Sequence, residues 1–145
     1  ITKEMLKMGC YEISLGDTIG IGTVGTTENL LHHLIEVENI PPEKLAVHFH
    51  DTYGQALANI YVALQYGIRV IDSSISGLGG CPYAGESASG NVATEDVLYM
   101  LHGSDIETGV NMDKILEASL YIDSILNRKS SSKYVCSRVS KQIMS

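Results

Sequence analysis

The sequence has no run of about 18 consecutive apolar residues and no Cys-x-x-Cys pair. The first absence excludes a predicted membrane span, and no signal-peptide pattern opens the chain. Three cysteines, Cys10, Cys81 and Cys136, form an odd set, so we predict no disulfide framework or zinc site and favour a reducing compartment. Because the chain starts at Ile1 rather than at methionine, we expect a fragment or a processed product.

Acidic residues are absent from the last 18 positions. All 17 acidic residues lie within residues 1–127, together with five of the ten basic ones. The other five basic residues lie within residues 128–145, although the formal net charge is -7. This distribution predicts a folded body that repels nucleic acid and a basic, flexible tail over residues 130–145. The functional alternative for the tail is contact with an anionic ligand.

A strand-then-helix rhythm runs along the chain. A helix capped by Thr26 is predicted after the first strand. The four predicted strands are Cys10–Leu15, Leu45–His50, Arg69–Ser74 and a short segment near residues 107–110. Alternation of this kind predicts a parallel sheet with right-handed crossovers. Four βα units are half of an eight-fold barrel of roughly 250 residues, although an open doubly wound sheet fits the same count.

The second strand decides between these architectures. Side chains alternate along a strand, so His48 and His50 share one face, while Leu45, Val47 and Phe49 share the other. In a sheet covered on both faces, His48 would be buried against apolar side chains at a cost. At the carboxyl-terminal mouth of a barrel, both imidazoles reach an open site. We therefore predict an α/β fold, with residues 1–129 as the carboxyl-terminal half of a TIM (β/α)8 barrel.

Polar residues cluster at the predicted strand ends. His48 and His50, followed by Asp51, predict a partial site for a divalent metal. Asp17 follows the first strand directly, and Asp72 lies on the third. Each carboxylate alone is commonly a cap or turn residue, but their convergence on strand ends favours a functional site.

Two glycine-rich segments allow different interpretations. Gly20–Gly25 matches G-x-G-x-x-G, and Asp51 is a possible ribose partner, which makes a dinucleotide site an alternative. Asp17 and Thr18 lengthen that turn beyond the fingerprint, and the histidines stay unexplained. The second segment, Gly77–Ala84, predicts a mobile loop that carries a reactive Cys81.

Together these segments resemble the 3-hydroxy-3-methylglutaryl-CoA (HMG-CoA) lyase family, over about residues 1–133. The matching stretches are Gly9–Gly20, Ala46–Gln55, Gly77–Ala84, Gly90-Asn91, Ala93–Asp96 and Leu126–Lys129. Cys81 distinguishes this family from related isopropylmalate-synthase-like barrel enzymes, which remain an alternative.

The resemblance implies a role for each matching residue. His48, His50 and Asn91 would bind Mg²⁺ or Mn²⁺, and Glu95 would support the site. Asp17, His48 and Cys81 would carry out proton transfers. Asn127 and Lys129 would lie near coenzyme A.

The resemblance also implies a reaction, a compartment and partners. The reaction is cleavage of HMG-CoA to acetyl-CoA and acetoacetate, in leucine breakdown and ketone-body formation, by an enzyme that is a homodimer when complete. The compartment would be mitochondrial in an animal and cytoplasmic in a bacterium. No membrane or nucleic-acid partner is expected.

Two departures from the family pattern qualify these expectations. One extra residue lies between Cys81 and Asn91. The family's Arg-Asp pair and a further carboxylate belong to earlier strands, so we expect the isolated chain to be inactive without the missing half of the barrel. A truncated, non-catalytic interaction fragment is the remaining alternative.

Overall fold

The computed structural model describes residues 1–80 and 90–143, with side chains to residue 140. They belong to two compact units, residues 1–72 and residues 73–80 with the chain from Gly90 onward. The helices and strands, in chain order, are α1 Thr2–Lys7, β1 Ile13–Asp17, α2 Val24–His32, β2 Leu45–Phe49, α3 Ala56–Gln65, β3 Val70–Asp72, α4 Thr94–His102, α5 Met112–Ile125 and α6 Lys133–Ile143. A π-helical segment, His33–Val37, continues α2, and 3-10 turns span Pro42–Lys44 and Ile75–Gly77. None of the helices in residues 1–80 and 90–143 has the length and hydropathy of a transmembrane span.

The first unit is built on a parallel sheet with the strand order β1-β2-β3. On the central strand, Leu45, Val47 and Phe49 are buried, as the predicted apolar face requires. β1 begins only at Ile13, three residues after the predicted start. Cys10 therefore lies outside the strand and is exposed, so its predicted place in an apolar strand is wrong.

The start of α2 is fixed by a capping box. Its N-cap is Thr23 rather than the predicted Thr26. The Thr26 amide donates to Thr23 Oγ1 over 3.4 Å, and the Thr23 amide donates to Thr26 Oγ1 over 2.9 Å. These reciprocal bonds satisfy two amides that the helix itself leaves unpaired.

At the other end of the helical segment, Glu38 pairs with Lys3 of α1. The hydrogen bond and the charge of Lys3 hold the pKa of the Glu38 carboxyl below its usual value.

In the second unit, α4 and α5 pack against the 3-10 turn Ile75–Gly77, and α6 packs against α4 and α5. The strand predicted near residues 107–110 is wrong, because the chain turns there through left-handed residues at Asp105 (φ 57°) and Gly109 (φ 71°). A parallel bridge between Ser74 and Ala93 is present instead. Residues 1–80 and 90–143 therefore contain three strands where the sequence predicted four.

The carboxyl-terminal segment contains a helix. Residues 130–145 were predicted to form a flexible tail, which is wrong for residues 133–143, where α6 forms. Asp96 of α4 accepts hydrogen bonds from the backbone amides of Lys133 (3.0 Å) and Tyr134 (2.8 Å). Val135 is buried. A distant cap and one buried valine thus anchor a segment whose own composition is polar.

Candidate active site

The carboxyl end of β2 carries the two predicted imidazoles. The ring centroids of His48 and His50 are 5.5 Å apart. His48 is a cross-strand neighbour of Asp72 on β3, and its Nδ1 lies 3.3 Å from Asp72 Oδ2. Ser14 on β1 donates a second hydrogen bond to the same oxygen, over 2.9 Å. A carboxylate at Nδ1 fixes the tautomer and ring orientation and leaves Nε2 as the nitrogen for a ligand.

His50 occupies a more enclosed position than His48. His50 is buried, with 7% of the residue exposed, whereas His48 is half-buried. Among the described residues, the buried His50 Nδ1 has no hydrogen-bond partner. An unpaired buried nitrogen costs about 1–3 kcal/mol, so its presence indicates a group that would satisfy it. A metal ion suits this position, because imidazole nitrogen is a common metal ligand.

Asp17 organises the turn that follows β1. Its two carboxylate oxygens accept the amides of Ile21 (3.2 Å) and Gly22 (2.9 Å). A Cβ on Gly22 would lie 2.8 Å from Asp17 Oδ2, so the turn needs glycine at this position. In a dinucleotide-binding turn such amides point at phosphates, but here they donate to Asp17. Asp51, the possible ribose partner, instead accepts a hydrogen bond at Oδ1 from the Ala56 amide at the start of α3, over 3.0 Å. This geometry argues against the dinucleotide interpretation.

Asn91 lies in the second unit, just before the bridge residue Ala93. Its Nδ2 donates to the carbonyl oxygen of Leu78 over 3.0 Å. Its Oδ1 is buried and has no hydrogen-bond partner in the described part of the chain. The amide is therefore held by its nitrogen, and its oxygen, the atom that a hard divalent cation prefers, is left for a ligand.

Glu95 lies one turn after Asn91 and is fully buried. Its Oε1 accepts the amide of Ser76 over 2.8 Å and a short hydrogen bond from the Ser119 hydroxyl. Ser76 in turn donates to Asp123 Oδ2 over 2.5 Å. Glu95 thus belongs to a buried polar cluster that links α4, α5 and the turn at Ser76.

Sequence reasoning missed three members of this cluster, Ser76, Ser119 and Asp123. One signal was available on α5, because Ser119 and Asp123 share the buried positions of the helix with Leu116. A serine and an aspartate at core positions of an amphipathic helix indicate polar partners elsewhere in the fold. Nothing comparable in the sequence marks Ser76.

Two of the other predicted residues lie at the surface. Asn127 and Lys129 are both exposed, and Asn127 has a left-handed backbone (φ 47°). Cys81 and the extra residue before Asn91 lie outside the described residues. The described ranges contain no group of three or more His, Cys, Asp or Glu side chains that could hold a metal. A cation on His48 and His50 would therefore need ligands of other types or from other parts of the protein.

Comparison with known proteins decides the family. The HMGL-like family model matches residues 1–122. The chain belongs to the HMGL-like family. Its parallel sheet and helices match part of the family's TIM barrel, which confirms the predicted fold class. Enzymes of the HMGL-like family are metal-dependent, in agreement with the predicted divalent cation.

Individual relatives confirm the resemblance to HMG-CoA lyases. Over 133 residues the chain is 60% identical to the mitochondrial hydroxymethylglutaryl-CoA lyase of Macaca fascicularis, covering 92% of this chain and 40% of that protein. The structure of the lyase from Pseudomonas aeruginosa matches with a TM-score of 0.89 and 52% identity, covering 96% of this chain and 45% of that one. A lyase from Acinetobacter baumannii, solved with coenzyme A and 3-methylmalate, matches with a TM-score of 0.82 and 34% identity, covering 91% and 42%.

The extent of the match has a consequence for function. The HMGL-like chain spans about 40% of the length of the curated relatives it matches. Relatives with the lyase name include mitochondrial and cytoplasmic proteins, and the matching structures include bacterial ones. The match therefore establishes the family and its fold for this chain.

Proposed function

We propose that this chain supplies the carboxyl-terminal part of an HMG-CoA lyase active site, which cleaves HMG-CoA to acetyl-CoA and acetoacetate. The observation that carries the proposal is 60% identity over 133 residues to a protein of that name. The remaining strands, with the other polar groups of the site, would come from polypeptide outside this chain. The complete enzyme would be a homodimer, mitochondrial in an animal and cytoplasmic in a bacterium.

His48, His50 and Asn91 would hold the divalent cation, Mg²⁺ or Mn²⁺. Two features of their surroundings support this assignment. His50 Nδ1 and Asn91 Oδ1 are buried atoms without hydrogen-bond partners among the described residues. Asp72 fixes the Nδ1 side of the His48 ring. The cation would supply Lewis-acid chemistry that lowers the pKa of the substrate's tertiary hydroxyl.

Proton transfers are assigned to this chain's own residues. Asp17 or His48 would accept the proton of the tertiary hydroxyl. As the C–O bond becomes a carbonyl, the adjacent carbon–carbon bond breaks, and its electron pair leaves with the thioester fragment as the enolate of acetyl-CoA. Protonation of that enolate completes the reaction. Cys81, whose role comes from the family resemblance alone, would assist in this protonation.

Three further residues would act outside the chemical steps. Glu95 would support the site through the turn at Ser76, because it accepts a hydrogen bond from the Ser76 amide over 2.8 Å. Asn127 and Lys129 would approach coenzyme A, and their exposure is compatible with a ligand contact. The complex of the Acinetobacter baumannii lyase with coenzyme A supports this ligand class for the family.

The test uses the polypeptide encoded by the complete reading frame that contains this chain. His50→Ala and Asn91→Ala are expected to weaken Mn²⁺ binding by more than about 100-fold, because each removes a ligand rather than an outer-shell partner. Acetyl-CoA production from HMG-CoA should fall with it. His32→Ala, at an exposed helix position, is the matched control and should change neither quantity. Wild-type Mn²⁺ affinity in both ligand variants would contradict the assignment.

A second arm separates this chain from the whole enzyme. The isolated 145-residue chain is expected to produce no acetyl-CoA, because part of the site lies outside it. Activity of the isolated chain would contradict the proposal that the site is divided in this way.

A further inference from the structure

Ser76 has an unusual backbone conformation in the core of the second unit. It is fully buried and left-handed, with φ 56° and ψ 17°. Residues other than glycine adopt this region infrequently, because the side chain crowds the backbone. Such a conformation persists where the surrounding structure over-determines it, and it is frequent at functional sites.

Three polar groups of Ser76 are held by separate parts of the fold. Its amide donates to Glu95 Oε1 on α4 over 2.8 Å. Its hydroxyl bonds Asp123 Oδ2 on α5 over 2.5 Å and Ser130 Oγ over 2.7 Å. Its carbonyl oxygen accepts from Arg128 Nη2 over 3.3 Å. Arg128 and Ser130, which follow α5, are therefore hydrogen-bonded to the carbonyl and hydroxyl groups of Ser76, respectively.

The same turn leads to Asn91. The Leu78 amide donates to the carbonyl oxygen of Ile75 over 3.0 Å, which closes the turn across Ser76. The carbonyl oxygen of Leu78 then accepts Asn91 Nδ2 over 3.0 Å. Only one residue lies between Ser76 and Leu78, so a change in the Ser76 backbone would reorient the acceptor that holds the Asn91 amide.

We infer that Ser76 is a positioning residue, which acts through Leu78 to orient Asn91 Oδ1 toward the metal. Through its hydrogen bonds, Ser76 also links this orientation of Asn91 to residues 128–131. The inference rests on the proposed function, because it takes Asn91 as a metal ligand. Glycine would adopt the left-handed backbone without strain, so the backbone alone does not call for serine. The serine hydroxyl is what connects the turn to Asp123 and Ser130.

A role in packing alone makes a different prediction. Loss of the hydroxyl would then lower stability and leave the affinity for metal unchanged. The positioning role predicts weaker metal binding in a protein that is still folded, because the Asn91 oxygen would no longer be held in the orientation that the metal requires.

The experiment measures Mn²⁺ affinity, by electron paramagnetic resonance and calorimetry, in the complete polypeptide. Ser76→Gly keeps the left-handed backbone accessible and removes the hydroxyl. We expect a roughly tenfold weaker Mn²⁺ affinity, at the lower end of the range for outer-shell partners of metal ligands. KM for HMG-CoA should rise, and kcat at saturating Mn²⁺ should be largely retained. Ser124→Ala, which removes an exposed hydroxyl of α5, is the control and should match the wild type.

Ser130→Ala is the second variant, in case Ser76→Gly does not fold. It removes a partner of the Ser76 hydroxyl from a half-buried position and should weaken Mn²⁺ binding in the same direction. Wild-type Mn²⁺ affinity in a folded Ser76→Gly protein, or in Ser130→Ala when only that variant folds, overturns the inference and leaves the proposed function standing. A wild-type protein that binds no Mn²⁺ overturns the proposed function and the inference together.

Discussion

Two pairs of carboxylates have partners at very different distances along the chain, Asp17 and Asp51 in the first unit and Glu95 and Asp96 in the second. The partners of Asp17 and Asp51 are local, unlike Ser14, which bonds Asp72 of the same unit from 58 residues away. Asp17 accepts the amides of Ile21 and Gly22, four and five residues on, and Asp51 accepts the amide of Ala56, five residues on. Each carboxylate thereby shapes the turn that it begins, and each is half-buried.

In the second unit, Glu95 and Asp96 have remote partners. Glu95 accepts the amide of Ser76, 19 residues away, and a hydrogen bond from Ser119, 24 residues away. Asp96 accepts the amides at the start of α6, including that of Tyr134, 38 residues away. Each of these bonds joins separate elements, so it forms only when those elements are packed together.

This difference has an energetic consequence. A local, partly solvated hydrogen bond adds about 0.5–1.5 kcal/mol, and water can replace a lost partner. A buried donor that loses its acceptor has no such replacement and costs roughly 1–3 kcal/mol. Removing carboxylates that look alike in the sequence should therefore cost different amounts of stability, according to the sequence distance and burial of their partners.

Glu95→Ala should give the largest effect on stability. It leaves the Ser76 amide without an acceptor in the core, while the Ser119 hydroxyl keeps the carbonyl oxygen of Ile115 at 2.7 Å. We expect the free energy of unfolding to fall by about 3 kcal/mol, since a buried donor loses its partner and the removed side chain leaves a cavity. Urea titration of the complete polypeptide measures this change. Glu117→Ala, which removes an exposed glutamate from α5, is the control and should stay within about 0.5 kcal/mol of the wild type.

Asp96→Ala should give an intermediate effect, centred on α6. Asp96 caps that helix through the amides of Lys133 and Tyr134 and also accepts the Ser132 hydroxyl. We expect a loss of about 2 kcal/mol, the upper end for an N-cap substitution. Faster hydrogen exchange of α6 amides would locate the loss. The exposed Glu107 provides a control, and equal exchange in Asp96→Ala and Glu107→Ala would contradict the capping role.

Asp17→Ala should give the smallest loss of stability. It removes one acceptor group from a half-exposed turn, so we expect about 1 kcal/mol by urea titration. Asp17→Asn keeps one acceptor oxygen and should recover part of the loss. A cost equal to that of Glu95→Ala would break the contrast between local and remote carboxylates. Activity is a separate readout, because the proposed proton transfer predicts a loss beyond that caused by stability.

The same contrast explains what could be predicted from the sequence. The apolar face of β2 and the common face of His48 and His50 follow from strand periodicity, and both the fold class and the family are confirmed. Asp17 is a candidate in the sequence because it directly follows the first predicted strand. Periodicity and neighbouring residues suffice wherever the partners of a residue are close in the chain.

Interactions between distant segments were not predictable in this way. α6 was missed because its anchor, Asp96, lies 36 or more residues before it. Ser76 was missed because a left-handed serine has no sequence signature, and its partners come from several elements. The fourth strand was predicted from the strand-then-helix rhythm and is wrong, because left-handed residues at Asp105 and Gly109 turn the chain there.

Gly90 bears on how variants near the candidate site should be interpreted. A Cβ at this position would lie 2.1 Å from the carbonyl oxygen of Gly77 and 2.3 Å from that of Gly79. Both are backbone atoms, so no side-chain rotation relieves the overlap. In a mutational scan, position 90 should therefore be intolerant of every replacement, alanine included. That intolerance would report steric exclusion by two main-chain oxygens, and inactive clones at position 90 would be no evidence that Gly90 contacts substrate.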